Sequence, residues 1–398
     1  MKEGWEYKTL GEIARDSADG PFGSNLKKEH YVLEKQVRII QLSNIGEEGW
    51  REENKKYTSF EHLKTISRSE VCPGDIVIAK MMPAGRAILC PNNEKKYVLS
   101  SDAVKIRLKQ GYNNKFVLYS INSSYFRSQV YSNVNGSGRV RTSLTKLRKC
   151  VLHIPDITTQ ESIVSYLDSS FKLIDEIKNK ALKSLTEAKA LFQSALAEAM
   201  EPKEGWEEKT LGEICFIARG GSPRPIKNFL TEDESGIPWI KIGDTEIGGK
   251  FINCTKEKIK KEGIKSSRFV RKGDFLLSNS MSFGRPYILK TDGCIHDGWL
   301  VLQNFKDTFI DDFLYYLLSC NYVQKQFDEY AYGSTVRNLK TDSVSRVSVN
   351  YPPLSTQKQI VSRLDKLSSK VRAIEEKYQK MVEECDALKQ AMLRDVFE

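Results

Sequence analysis

KEGWEYKTLGEIA at residues 2–14 returns as KEGWEEKTLGEIC at residues 203–215, with eleven of thirteen positions identical. The chain has 398 residues, so it starts again close to its midpoint. The repetition extends well beyond this stretch. GDIVIAKMMPAGRAIL (74–89) aligns with GDFLLSNSMSFGRPYIL (273–289), matching Gly74 with Gly273, Asp75 with Asp274, Gly85 with Gly284 and Arg86 with Arg285. RIIQLSNI (38–45) parallels PWIKIGDT (238–245), and IPDITTQESIVSYLD (154–168) parallels YPPLSTQKQIVSRLD (351–365). The order is A–B–A′–B′, with boundaries at 1–153, 154–202, 203–352 and 353–398.

The B segments read as long helices. From Ile163 to Ala199 apolar residues recur ten times over 36 residues, the 3.6 period of one helix face. From Ile360 to Leu388 they recur eight times over 28 residues, the 3.5 period of a coiled-coil seam. Neither stretch contains Pro or Gly. Thr158, Thr159, Ser355 and Thr356 are the expected N-caps, and Pro202 ends the first helix. Each helix is expected to be roughly 60 Å long. Their apolar stripes should bury each other, since neither is stable in water alone. Leu173, Leu182, Leu191 and Leu196 lie off the main stripe and are the expected contact face for partner proteins.

The A segments alternate short β-branched and aromatic runs with Gly, Pro and Asn, which predicts a mixed α/β domain with a curved sheet. One helix is expected in each, over NKFVLYSINSSYFRSQVYS and DDFLYYLLSCNYVQKQFDEY. A Gly-rich loop carrying arginine follows in both, NGSGRVRTSL and YGSTVRNLKTD.

Composition narrows the class. The chain is 40% hydrophobic and 29% charged, which predicts a globular protein. No uncharged apolar run reaches 18 residues, and the first residues lack an apolar signal core, so the cell interior is the expected compartment. The eight cysteines form no C-x-x-C pair and are expected to be reduced. The net charge is +10, and residues 1–153 carry all of that excess, with 26 basic against 16 acidic residues. Surface lysines for solubility are one account of this, and a polyanion-facing surface is the sharper one.

No catalytic motif stands out in the sequence. The nearest string to an amino-methyltransferase tetrapeptide, Tyr351-Pro352-Pro353-Leu354, lacks the polar acceptor and the stacking ring. Pro155-Asp156 is followed by Glu161 without the lysine of a metal nuclease. The four histidines have no metal or triad spacing, and the Gly-rich turns at 20–23 and 219–223 lack phosphate-loop spacing.

The duplicated order of these motifs resembles the DNA-specificity subunit of type I restriction–modification systems. Gly-Trp-x-x-Lys-Thr-Leu-Gly-Glu-Ile at both starts carries the resemblance, with Gly20-Pro-Phe-Gly-Ser24, Gly-Gly-Ser-Pro at 220–223, Ile237-Pro-Trp-Ile-Lys241 and the Thr-Gln helix entries. It spans essentially the whole chain. It implies two tandem α/β target-recognition domains, separated by two long antiparallel coiled-coil helices in a pseudo-twofold repeat. It further implies a non-catalytic chain that reads a bipartite double-stranded DNA target and binds two modification and two restriction subunits. S-adenosylmethionine, ATP and Mg would sit on those partners, with no cofactor or metal on this chain.

DNA contact is expected from basic and amide side chains on loops, mostly to phosphates. The candidates are Ser24, Asn25, Lys27, Lys28, Lys80, Arg86, Arg139 and Arg141 in the first domain. In the second they are Arg224, Lys227, Lys241, Arg285, Arg337 and Asn338. Arg86 and Arg285 match across domains that should read different bases, so backbone contact or bracing of the fold suits them better. Arg139, Arg141 and Arg337 flank glycines and are the better base readers. Two rival classes are a scaffold with a non-specific basic surface, and an enzyme with unrecognised motifs.

Overall fold

The structure is a computed structural model describing residues 4–81, 83–132, 141–246, 248–280, 283–331 and 338–398. It forms two compact units, Met1–Leu182 with Gln379–Glu398, and Lys183–Tyr378.

The repeated opening closes each unit. In the first, strand Glu6–Thr9 pairs antiparallel with Val151–Ile154, the strand that feeds the first long helix. In the second, Glu207–Thr210 pairs with Ser348–Tyr351 ahead of the second long helix. The Lys-Thr-Leu-Gly-Glu-Ile motif then makes one helical turn. Thr9 Oγ1 accepts the Glu12 N–H at 3.2 Å, and Thr9 N–H donates to the Glu12 carboxylate at 2.6 Å, a capping box. Thr210 N–H donates to Glu213 at 2.7 Å in the same way. The Thr9 bonds hold the Glu12 carboxyl below its ordinary range. The glycine of the motif is steric: a Cβ on Gly11 would lie 3.0 Å from the Arg148 carbonyl oxygen, and one on Gly212 2.9 Å from Ser345 Cβ.

Two sheets stand where one curved sheet was expected. In the first unit Ala87–Leu89, Ile76–Ala79, Ala103–Leu108 and Ala14–Asp19 form one, all antiparallel. Tyr31–Val32, Tyr57–Thr58, Val37–Ile40, Tyr97–Leu99 and Glu70–Val71 form the other, with Val37–Ile40 and Tyr97–Leu99 parallel. The second unit repeats this order, with Phe216–Arg219, Trp299–Gln303, Phe275–Ser278 and Pro286–Leu289 in one sheet and Phe251–Ile252 added at its edge. Its other sheet runs Leu230–Thr231, Glu257–Ile259, Ile237–Ile240, Gly293–Ile295, Arg268–Val270. The duplication is thus one of topology as well as of sequence.

The single helix expected after the sheets is two in each unit: Asn114–Asn122 and Ser124–Ser132, then Asp311–Ser319 and Asn321–Tyr330. Ser123 and Cys320 sit between them with extended backbone (ψ 157° and 152°). Ser123 Oγ donates back to the Ser120 carbonyl at 2.7 Å, so the side chain satisfies the broken helix end.

The long helices are Ile157–Ala199 and Leu354–Phe397. Each begins before the caps expected for it. For the first, Asp156 is the cap, accepting Thr159 N–H at 3.0 Å, and Thr158 and Thr159 lie inside the helix. Within each unit the two helices run antiparallel. Lys178 bridges to Asp386 at 2.7 Å and Lys389 to Asp175 in the first unit, and Arg363 lies 3.3 Å from Glu198 in the second. Their ends bury against the sheet-bearing part of their own unit as well as each other. Val164, Leu167, Leu393 and Phe397 join the core around Phe116, and Leu196, Ala199, Val361 and Leu364 join the core around Phe313.

A glutamine locks each helix to its unit. Gln160 accepts the Asn113 N–H at 2.9 Å and donates to the Pro155 carbonyl at 2.9 Å. Gln357 accepts from Ile310 N–H at 3.1 Å and donates to the Thr308 and Pro352 carbonyls at 2.7 and 2.9 Å. Two turns on, Tyr119 donates to Asp168 and Tyr316 to Asp365, each at 2.5 Å. Burial, then the adjacent carboxylate, pushes both phenols up, which keeps them donors.

Gln357→Leu keeps the volume but strands a buried N–H and two carbonyls. It should cost at least about 1–3 kcal/mol in urea unfolding. Gln379→Leu, on the exposed face of the same helix, should stay within about 0.5 kcal/mol of wild type. Equal effects would rule out the lock.

Candidate nucleic-acid interface

In the first unit, four separate stretches converge where the antiparallel sheet ends. Strand Ala14–Asp19 runs into Gly20, whose N–H donates to the Ala103 carbonyl at 2.9 Å. A Cβ there would sit 1.7 Å from the Ser100 carbonyl oxygen, so only glycine fits. Lys80 follows strand Ile76–Ala79 and donates its backbone N–H to Asp102 at 2.8 Å. Its carbonyl accepts Thr142 N–H at 2.8 Å, and Met81 bridges to Arg141. Asp19, Lys80, Asp102 and Arg141 are thereby gathered at one edge. The Lys80 ammonium lies 2.8 Å from Asp19 Oδ1 with only 7% of the residue exposed. Arg141 is more open, 4.0 Å from Asp102 with 59% of its side chain in solvent. A polar cleft lies here, lined by Leu26, Gln41, Ser43, Asn54, Lys56 and Ser100–Asp102.

The second unit builds the same backbone frame. Gly220 N–H donates to Trp299, Asn279 N–H to Gly298 and Leu339 N–H to Asn279, each at 2.9 Å. Asn279 therefore stands where Lys80 does, Arg219 where Asp19 does, and Asn338 where Arg141 does. Asp297, in the place of Ser101, organises this edge. Its carboxylate accepts from Ser222 Oγ at 2.9 Å and Arg224 at 3.2 Å. Its carbonyl accepts from Asn279 Nδ2 at 2.8 Å and Arg219 Nε at 3.0 Å. Partial burial works to raise the Asp297 carboxyl, but the Ser222 hydroxyl, His296 and Arg224 outweigh it and hold the group low. Next to it, burial lowers the His296 imidazole, whose Nε2 lies 3.1 Å from Ile242 N and whose Nδ1 lies 2.6 Å from Gly298 N.

The remaining sequence candidates separate by environment. Ser24, Asn25, Lys27 and Lys28 are exposed on the loop after Gly20, and Arg224, Lys227 and Arg285 are exposed in the second unit. Lys241 is half-buried and paired with Glu257 at 2.5 Å, and Asn338 is half-buried. Arg86 is packed in, its side chain 12% exposed and 3.8 Å from Glu47, a carboxylate it shares with Arg127. Its environment is that of a brace. Arg139 and Arg337 lie outside the described residues.

On the helices Leu173, Leu182 and Leu191 are 61, 41 and 60% exposed, whereas Leu196 is 1% exposed inside the core of the second unit. Placing Leu196 on a partner-facing surface is therefore corrected. The helix sinks into the core over its last turns, where Phe192 also packs on Tyr316, and the face that is outer elsewhere is covered there.

Asp19, Asp102 and Asp297 are missed because the sequence reading favours basic and amide side chains, and Arg219 and Asn279 because they sit at strand ends and not within the loops. The usable signal is a mismatch: Lys80 and Asn279 are aligned residues that differ, directly after a matched strand. Among the described residues no group of three or more His, Cys, Asp or Glu could hold a metal ion, and no helix is long and apolar enough to cross a membrane.

Known proteins share both the sequence pattern and the fold. The sequence model for the type I restriction modification DNA specificity domain matches residues 2–187 and again 203–384. A putative type I restriction enzyme specificity subunit of Haemophilus influenzae, S.HindORF215P, is 25% identical over 67% of this chain and 68% of its own. The StySPI specificity subunit of Salmonella potsdam is 21% identical over 100% of this chain and 89% of its own. Among solved structures, a chain from work on complex assembly and conformational transition of the type I R-M system superposes with a TM-score of 0.78 at 20% identity, covering 99% of this chain and 97% of that one. The HsdS subunit of Thermoanaerobacter tengcongensis gives 0.54 at 20% identity, covering 100% and 97%. The chain belongs to the family of type I restriction–modification DNA specificity subunits, the non-catalytic components of those systems, and carries two of the family's target-recognition domains.

Proposed function

We propose that this chain reads a double-stranded DNA target in two parts, one per unit, and addresses partner subunits to it. One observation carries the reading: both units present the same hydrogen-bonded backbone frame with different side chains at its edge. A shared frame fits a shared task, and differing side chains fit different bases. The chemistry is suited to base edges, because arginine pairs with guanine, asparagine with adenine, and carboxylates accept from cytosine. Exposed Lys27 and Lys28, with the +10 charge of residues 1–153, suit phosphate binding by the first unit.

Exposed Leu173, Leu182 and Leu191 offer separate apolar contacts on the first long helix for modification subunits, with restriction subunits joining in turn. S-adenosylmethionine, ATP and Mg would be held by those partners, in the cytoplasm. The first long helix runs from one unit into the next and, in this reading, sets the unread spacer between the half-sites.

Three outcomes follow from these assignments. Arg141→Ala should cost about 1–3 kcal/mol and relax one position of one half-site, read as a change in the methylated motif of cells carrying the variant with its modification subunit. A uniform loss over all sequences would assign Arg141 to phosphate instead. Leu182→Glu with Leu191→Glu should leave urea unfolding unchanged and reduce recovery of modification subunits in a pull-down, and undiminished stoichiometry would reject these leucines as contacts. Duplicating Thr186–Lys189 adds about 6 Å of helix, so the spacer should grow by one or two base pairs at about 3.4 Å each. An unchanged spacer with full activity would remove the helix from that role.

A further inference from the structure

The first unit carries an apolar side chain where a DNA-reading surface has least reason to hold one. Phe22 is 80% exposed, in the turn Gly20-Pro21-Phe22-Gly23-Ser24. A single exposed aromatic is unremarkable alone, but this one is held in place from both sides. Before it, Gly20 is pressed against Ser100, with no room for a Cβ, and Pro21 is buried. After it, Asn25 N–H closes the turn on the Phe22 carbonyl at 2.7 Å, and the Asn25 carbonyl bonds His62 Nε2 at 2.9 Å. His62 stacks on His30 with ring centroids 4.0 Å apart, and His30 Nδ1 accepts Lys27 N–H at 3.0 Å. The ring therefore projects from a braced turn, two residues from the gathered edge at Gly20 and five and six before Lys27 and Lys28.

From this geometry we infer that Phe22 is a wedge that enters a base step of the half-site read by the first unit. This rests on the DNA-reading proposal above and adds a residue that reads the deformability of the site. An apolar side chain that inserts between base pairs unstacks them and kinks the duplex, and flexible pyrimidine–purine steps resist this least. Cationic Lys27 and Lys28 would hold the flanking phosphates while the ring replaces the lost base stacking. Preorganisation matters because a ring already fixed in its projecting position loses little freedom on insertion. The second unit supplies an internal contrast. Counting from Gly220, the residue in the place of Phe22 is Ser222, half-buried and bonded to Asp297, and the exposed side chain of that turn is Arg224. The wedge belongs to one half-site only.

The test uses the full chain assembled with its modification subunit, on duplexes of its target with 2-aminopurine placed singly at successive positions through both halves. Wild type should brighten one step severalfold in the half-site that relaxes in Arg141→Ala, and Phe22→Ala should abolish that rise. Phe22→Ala should also weaken specific binding on the order of 10–100-fold, the loss of one aromatic–base stack, while Phe22→Trp keeps both signals. Because Phe22 is solvent-exposed, urea unfolding should be the same for all three. A rise that survives in Phe22→Ala reports base extraction by the modification enzyme and contradicts the wedge. Specific binding by wild type with no Phe22-dependent step overturns the wedge alone. Absence of any sequence-dependent binding overturns it together with the reading on which it rests.

Discussion

A buried glutamine on the first turn of each long helix fixes how that helix meets its own unit. Gln160 and Gln357 are 1% and 0% exposed, yet each carboxamide finds partners for both its oxygen and its nitrogen. An amide buried there without partners would cost several kcal/mol, so the contact is satisfied in one geometry and poorly in any other. Its acceptor oxygen takes an N–H at the start of the helix that packs on the sheets, and its donor holds the chain entering the long helix. The strand pairs Glu6–Thr9 with Val151–Ile154 and Glu207–Thr210 with Ser348–Tyr351 close the same corner from the other side. Together they make each unit a stiff piece whose edge residues are placed by backbone bonds.

Stiffness matters because the edge chemistry is delicate. Lys80 is nearly buried beside Asp19, and Asp297 gathers Ser222, Arg224, Asn279 and Arg219. Such networks carry direction as well as charge: every polar atom already bonded within the edge is fixed in place, and open side chains such as Arg141 are left to choose a partner. Polar sites whose donors and acceptors cannot turn away are the ones that discriminate most strongly between ligands. The two frames are alike, so the side chains at one edge differ from those at the other while the backbone bonds stay the same.

Much of this was legible in the sequence. The restart, the helix periods, the strand runs and the Thr-Gln entries all announced local geometry, and local geometry is what periodicity and capping chemistry report. The break at Ser123 and Cys320 was not legible, since the apolar period continues through it and the turn ends on bonds back to the Ser120 and Leu317 carbonyls. Leu196 was misplaced because helix phase alone does not say what covers a face, and here the core of the unit does. The candidate edge was legible in part. Basic loop residues stood out, but Asp19, Asp102 and Asp297 acquire meaning only once distant strands bring them beside Lys80, Arg141 and Arg224.

The central claim is that two units with one frame read two unlike half-sites. It is tested most directly by sequencing methylated adenines in DNA from cells that express the wild-type chain with its modification subunit. The account predicts one motif in two specified parts, separated by a fixed gap of unspecified bases. A single continuous motif, or methylation without sequence dependence, would contradict it.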